Sequence, residues 1–325
     1  MAGESVLIVE DNDVLRQGLQ ALLEAEGFSV HTAIHGLDGL EKVKASPPDL
    51  ILADISMPEM DGYSFFEAVR SRPEWVSIPF IFLTARRGRE DVFAGKMLGA
   101  EDYLVKPVTR QELVTTIRSR LARSQQLLLA QLEQAYESSL IMLANAIELR
   151  DQYTGAHVER VRDIAKTIAV QMGWTTTRLS HLNYGSILHD IGKIHIQESI
   201  LTKPGPLNEA EWKEMRQHPL IGVEMIKNIP YLAPAIPIVR SHHERWDGSG
   251  YPDGLAGENI PLAARIVAVA DALDAMTTSR LYRPRFTPDQ AYQEVLRCSG
   301  SQFDPAVTVA FQYAWNEIRS LMEKE

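Results

Sequence analysis

Five short runs of aliphatic and β-branched residues, each trailed by a stretch with helical spacing, fill the first third of this chain, and then the alternation stops. The runs are Ser5 to Val9, Phe28 to Ala33, Leu50 to Ala53, Ile78 to Leu83 and Tyr103 to Val105. Between them Leu15, Leu19, Leu22 and Leu23, then Leu37 to Val43, then Phe65 to Val69, follow the intervals of an amphipathic helix. Strands that alternate with helices need crossover connections, so they lie parallel and both faces of their sheet are covered. The pattern predicts a doubly wound five-stranded parallel α/β sheet over residues 1–121.

In such a sheet the ligand crevice opens outside the carboxyl ends of the strands. Polar residues gather there: Glu10 and Asp11 close the first strand, Asp54 the third, Thr84 follows the fourth and Lys106 the fifth. Three carboxylates converging on one crevice repel unless a cation joins them, and a hard oxygen cluster suits Mg²⁺. Asp54 would then act as a nucleophile toward phosphoryl, with Lys106 and Thr84 contacting the new phosphate oxygens. A single strand-end Asp is more often a helix cap, but five suitable residues at four of the five strand ends outweigh that reading.

From Thr109 to Arg150 the chain has no proline or glycine. Leu121, Leu128, Ala135, Met142 and Leu149 recur every seven residues, with Leu132 and Ala146 at complementary positions. This connector, residues 122–150, reads either as the seam of a short dimeric coiled coil or as one helix packed on its own second domain.

Beyond Gly155 the spacing is helical throughout, over 156–172, 178–194, 209–228, 232–244, 261–279, 288–297 and 305–321, so residues 151–325 form an all-α domain. Seven of the nine histidines lie there. His189-Asp190 sits among Leu and Ile, and Asp271 ends the run Ile266-Val-Ala-Val-Ala. Burying a carboxylate is costly unless a metal or a cation compensates. His157, His189-Asp190 and Asp271 give N/O ligands from separate helices, the route by which helical bundles build metal sites. His218 and the adjacent pair His242-His243, which precedes a loop crowded with Gly and Asp, complete a second site, with Asp190 bridging both metals. His181 and His195 are assigned no site.

A chain of 325 residues suits two domains. Its formal charge of −10 argues against DNA or an anionic membrane as a partner. One cysteine, Cys298, fits a reducing compartment; with no basic leader before the first strand and no membrane-spanning apolar run, the expected location is cytoplasmic.

Residues 5–121 resemble the receiver domain of bacterial response regulators through VEDN (9–12), ADISMPEMDG (53–62), LTA (83–85) and YLVKP (103–107). The resemblance implies that Asp54 is the phosphoacceptor, Glu10, Asp11 and Asp54 hold Mg²⁺, and Thr84, Tyr103 and Lys106 form the switch. It also implies a cognate sensor histidine kinase. Residues 141–321 resemble the HD-GYP domain, a bacterial phosphodiesterase family that hydrolyses cyclic di-GMP. The matching motifs are RDQYTGAHVERV (150–161), HDIGK (189–193), LTKPGPL (201–207), HPLIG (218–222), HHERWDGSGYPDGL (242–255), ADALDAMTTSR (270–280) and FDP (303–305).

This second resemblance implies the metal ligands His157, His189, Asp190, His218, His242, His243 and Asp271. His189, Asp190 and Lys193 would serve catalysis. Lys193, Arg280 and Arg283 would contact substrate phosphates, and Asp274 and Tyr251 would touch the nucleotide or shape its loop. Gln152 and Tyr153 stand near the first histidine where some relatives place a further carboxylate, so two ions are expected rather than three. Imidazole with carboxylate suits Fe, Mn, Ni or Zn. Two adjacent metals can activate a water and clamp the attacking and leaving oxygens of an in-line displacement, opening the ring to pGpG and then to GMP. The chain is expected to be a homodimer, through the connector or the receiver. The alternatives are a non-catalytic module that binds cyclic di-GMP or a protein, and a phosphodiesterase for another cyclic dinucleotide.

Overall fold

The computed structural model describes residues 3–85, 102–151, 157–278 and 285–322, and the chain divides into two units, Met1–Glu133 and Gln134–Glu325. The first unit is built on strands β1 (Ser5–Val9), β2 (Ser29–Ala33), β3 (Leu50–Asp54), β4 (Phe80–Thr84) and β5 (Asp102–Val105), all parallel in the order β2-β1-β3-β4-β5. Alternation along each strand sorts the core into two layers. Leu7, Val9, Ile51, Ala53, Phe80 and Phe82 meet Phe65, Phe66 and Val69 of helix α3 (Gly62–Arg70) and Val43 of α2 (Gly36–Ala45). Val6, Ile8, Leu50, Leu52, Ile81 and Leu83 meet Leu19 and Leu23 of α1 (Asp13–Ala25) and Leu113, Ile117 and Leu121 of α4 (Arg110–Glu148) on the other face. The expected doubly wound sheet is the one observed. Chain order reverses between β1 and β3, so the ends of these two strands frame the crevice.

Helix α4 runs for 39 residues. Its last turns belong to the second unit, where Leu140, Ala144 and Ile147 pack with Val158, Tyr184, Ile187, Leu188 and Val239. The two readings of the connector are therefore not exclusive. Leu128, Met142 and Leu149 of the seven-residue series and Leu132 at a complementary position are 55 to 70% exposed, while Leu140, Ala144 and Ile147 are buried.

The second unit is helical. Helices α5 (His157–Gln171), α6 (Thr176–Leu188), α11 (Leu262–Thr277), α12 (Pro288–Arg297) and α13 (Pro305–Met322) enclose one apolar core, with Val161, Ile164, Ile168, Val267, Leu273, Val295 and Phe311 fully buried. Short helices α7 (Glu198–Leu201), α8 (Glu209–Met215), α9 (His218–Ile226) and α10 (Ile236–Ser241) complete it.

Three expected helical spans are broken. The span 178–194 ends at Leu188 and resumes as a 3₁₀ turn over Ile191–His195; 209–228 breaks between Met215 and His218; 232–244 begins as a 3₁₀ turn over Pro230–Ala235 and ends at Ser241. Each break leaves a histidine at a helix end. Side-chain periodicity runs through such breaks, because residues in a 3₁₀ turn or a cap still alternate between core and surface.

Candidate metal centre

In the first unit Glu10 and Asp54 are buried and Asp11 is exposed, and the three offer carboxylate oxygens within 4.8 Å of one another. Lys106 already bridges two of them, with Nζ 2.6 Å from Glu10 and 2.9 Å from Asp54. Burial raises the Glu10 carboxyl above its ordinary range, and Lys106 offsets part of that. Thr84 is buried at the end of β4, and the Tyr103 ring stacks on Phe82 with centroids 5.3 Å apart. Gly62 is required here: a Cβ on it would lie 2.3 Å from the carbonyl oxygen of Asp54, so only glycine lets α3 start so close to the acid.

In the second unit the broken helices converge. His189 follows the last residue of α6, His218 opens α9, and His242 follows α10. Each imidazole donates Nδ1–H to the carbonyl three residues back: His189 to Ser186 (2.7 Å), His218 to Met215 (2.8 Å) and His242 to Val239 (3.0 Å). A carbonyl can only accept, so a proton sits on Nδ1 in each ring, and wherever the ring is neutral the Nε2 lone pair faces the centre. The tautomer is thus fixed by the turn that ends each helix.

Those lone pairs meet one another. His218 Nε2 lies 3.3 Å from His242 Nε2, and Asp190 Oδ1 lies 3.1 and 3.6 Å from the two. Three acceptors with no hydrogen between them repel. Yet about 3.3 Å is the mutual spacing of ligands held ~2.0–2.1 Å from a tetrahedral ion. Together with His243 these residues form one group able to hold a metal, and His157, His189 and Asp271 form a second. Asp190 connects them, because its other oxygen, Oδ2, lies 3.3 Å from His189 Nε2 and 2.7 Å from Lys193 Nζ. The donor set therefore fits two divalent ions sharing one carboxylate.

Charge is distributed unevenly. Burial opposes the charged form of His189, but the Asp190 carboxylate beside it outweighs burial and raises the imidazole to about 9. Burial likewise opposes ionisation of Asp190, yet Lys193 and His189 hold its carboxyl well below the usual range. His242 and His243 go the other way, lowered by burial; Asp190 partly offsets this for His242, and neighbouring imidazoles press His243 further down.

Of the residues expected to act, all seven metal-ligand candidates converge here, and Lys193 is buried against Asp190. Tyr251 stacks on His243, with ring centroids 4.8 Å apart, and its backbone N–H donates to the His243 carbonyl, so it braces that ring and shapes the loop. Asp274 is committed to neighbouring side chains. It is 1% exposed, and both oxygens are engaged, by His157 Nδ1 (2.6 Å) and by the Arg160 guanidinium. Burial opposes ionisation, but His157 and Arg160 outweigh it and lower the carboxyl. Asp274 therefore orients the His157 ring so that Nε2 faces Asp271, 3.8 Å away, and it has no oxygen left for a nucleotide. Arg280, Arg283, Gln152 and Tyr153 lie outside the described residues.

Three residues were missed. Arg160 holds Asp274. Glu244, buried after the histidine pair, accepts the backbone N–H groups of Asp253 (2.7 Å) and Leu255 (3.0 Å) and ties the glycine-rich loop into place, helped by a bidentate Arg240–Asp253 pair. Glu148, at the end of α4, is 4% exposed and groups with His157 and Asp190. Its signal was an acid among Leu143-Ala-Asn-Ala-Ile147, the same cue that exposed Asp190 and Asp271.

Close packing fixes the turn that presents Asp190 and Lys193. A Cβ on Gly192 would lie 1.9 Å from the His218 carbonyl oxygen, so the 3₁₀ turn and α9 approach as near as backbones allow.

The family model of the response regulator receiver domain matches residues 6–118, and that of the HD domain matches residues 141–307. The chain is 37% identical to the cyclic di-GMP phosphodiesterase response regulator RpfG of Xanthomonas campestris pv. campestris, over 93% of this chain and 85% of that protein. It is 33% identical to a cyclic di-GMP phosphodiesterase of Thermotoga maritima, over 99% and 93% of the two chains. A 3′3′-cGAMP-specific phosphodiesterase of Vibrio cholerae is 37% identical over 58% of this chain and 37% of its own length. With a receiver sheet ending in an acid crevice and a helical unit ending in paired His/Asp clusters, the chain belongs to the family of response regulators that join a receiver domain to an HD domain.

Proposed function

We propose that this protein is a response regulator whose HD unit hydrolyses cyclic di-GMP under the control of receiver phosphorylation. The observation that carries the reading is the mutual spacing of His218, His242 and Asp190 Oδ1, three facing acceptors whose second oxygen partner, Asp190 Oδ2, reaches toward His189. Divalent ions of the Fe, Mn, Ni or Zn class, held by His157, His189, Asp190, His218, His242, His243 and Asp271, supply the charge that lowers the pKa of water and screens a phosphodiester. The chain's own residues do the rest. Asp190 joins the two halves, Asp274 and Arg160 orient His157, and Lys193 keeps a positive charge beside Asp190, where phosphoryl oxygens gain negative charge. Tyr251 and Glu244 hold the loop that borders His243.

In the receiver, Asp54 is the phosphoacceptor, Glu10, Asp11 and Asp54 hold Mg²⁺, and Thr84, Tyr103 and Lys106 respond; a sensor histidine kinase is the phosphodonor. The boundaries 1–121, 122–150 and 151–325 describe receiver, connector and HD unit, with the final turns of the connector buried in the HD core. The exposed stripe Leu128, Leu132, Met142 and Leu149 favours a homodimer through the connector. Among the described residues no helix is long and apolar enough to cross a membrane.

The test is anaerobic hydrolysis by the purified full-length chain with Mn²⁺ or Fe²⁺, products separated. Formation of pGpG or GMP, lost in His189→Ala, is the expected outcome; tight nucleotide binding without turnover in the metal-loaded protein refutes it. Because a 3′3′-cGAMP-specific phosphodiesterase is 37% identical over 58% of this chain, both dinucleotides are assayed side by side, and faster turnover of 3′3′-cGAMP reassigns the substrate.

A further inference from the structure

We propose that Glu148, the last residue of α4, is a ligand of the ion held by His157, an inference that rests on the two-metal reading above. The carboxylate stands where a metal-free protein has little use for one. It lies at the C-terminal end of a helix, where the macrodipole disfavours negative charge. It is 4% exposed, and its Oε2 is buried with no hydrogen-bond partner, a costly arrangement for a polar atom. The nearby cations are committed elsewhere. Lys193 Nζ is 3.9 Å from Glu148 Oε1, beyond hydrogen-bond reach, but 2.7 Å from Asp190. Arg150, two residues on, turns its guanidinium to the carbonyls of Ile194 (2.7 Å) and Ile196 (3.2 Å).

A divalent ion removes all of these penalties together. Glu148, His157 and Asp190 each offer a ligand atom within 4.8 Å of the others, and all three are buried. Since His157 has committed Nδ1 to Asp274, its Nε2 can serve only one ion. Glu148 therefore adds a donor to the ion on the His157 side and does not create a third seat. That side then draws on Glu148, His157, His189, Asp190 and Asp271, richer in carboxylate than the His218, His242, His243 and Asp190 side. Harder ions such as Mn²⁺ should prefer it.

The experiment is equilibrium dialysis of Mn²⁺ against the full-length chain, with bound metal counted by elemental analysis, for the native protein and Glu148→Gln. The expected result is two ions per native chain, with the second bound at least about tenfold more weakly in the variant, the lower end of what loss of a metal-supporting carboxylate costs. Two ions bound equally well by both proteins overturn the assignment of Glu148 while leaving the two-metal reading intact. No tight Mn²⁺ in the native chain overturns both. If Glu148→Gln does not fold, anomalous scattering from crystals of the Mn²⁺-loaded native protein decides. A peak about 2.0–2.3 Å from a Glu148 oxygen supports the proposal, and peaks only beyond bonding distance refute it.

Discussion

The two acidic crevices of this molecule are built on opposite plans. In the receiver, three carboxylates from strand ends enclose an internal cation: Lys106 touches both Glu10 and Asp54, and Asp11 remains open to solvent. In the HD unit, buried imidazoles with fixed tautomers face two aspartates, and Lys193 satisfies a single oxygen of Asp190. The first arrangement can stand without a metal and can exchange an Mg²⁺ ion as phosphorylation comes and goes. The second leaves nitrogen lone pairs facing each other at 3.3 Å and calls for resident ions. A switch needs a reversible site, whereas hydrolysis needs a permanent one.

The sharpest way to break this contrast is to remove a ligand from each crevice. His189→Ala should lower cyclic di-GMP hydrolysis on the order of 10³-fold or more, the equivalent of several kcal/mol of charge stabilisation, and should release metal from the purified chain. Activity within tenfold of native would dispose of the two-metal assignment. Asp54→Asn should instead spare metal content and basal turnover but abolish the response to beryllofluoride, a phosphoryl mimic. A coupling of this kind typically changes activity about 5- to 150-fold. A variant that still responds would show that the receiver's control does not pass through Asp54.

Asp274→Asn probes the contact between this carboxylate and His157. An amide can still accept from Arg160 but is a poor partner for the Nδ1–H of His157, so the ring loses the contact that aims Nε2. Metal affinity on the His157 side should fall about 10- to 100-fold, with the affinity of the His218 side unchanged. If Asp274 served the nucleotide instead, KM would rise while metal titrations stayed native.

Much of this was legible in the residues, for identifiable reasons. The receiver acids stand at strand ends, and strand ends are fixed by a short, strongly biased pattern, so Glu10, Asp54 and Lys106 could be placed in one crevice before any coordinates. The metal-ligand candidates were legible as His and Asp residues set in apolar helical spans. What periodicity could not reveal is where those helices stop. The turn after Leu188, the gap between Met215 and His218, and the end of α10 at Ser241 set the ring tautomers, yet each keeps its neighbours in step with a helix. The contacts of Asp274 escaped the sequence for a related reason. Motif position put it near Arg280 and Arg283, but only the packing of α5 on α11 shows that its carboxylate turns inward to His157. Glu244 escaped because its role is toward backbone N–H groups nine and eleven residues ahead, a separation with no sequence signature.

The smallest expected effect is a dependence on pH that is present in the metal-free protein and cancelled in the metal-loaded one. In the metal-free chain the His189 imidazole is raised from 6.5 to about 9 by Asp190, against the pull of burial. Its folded-state value lies above its unfolded one, so the stability it contributes is fully present below pH 6.5 and is lost as pH rises through about 9. His242 and His243 are lowered, so they weaken the fold only as pH falls below 6.5, where the unfolded chain takes up protons that the buried rings refuse. Metal must displace the proton of His189. Apparent affinity on the His157 side should therefore rise about tenfold per pH unit until pH approaches 9, and then level off. Paired melting curves between pH 6.5 and 9 provide the check: Tm should fall with rising pH in the metal-free chain and stay level in the Mn²⁺-loaded chain, where the gain in affinity offsets the lost apo stability. Parallel curves would mean that Asp190 does not hold a proton on His189, and the two halves of the centre would then be electrostatically alike.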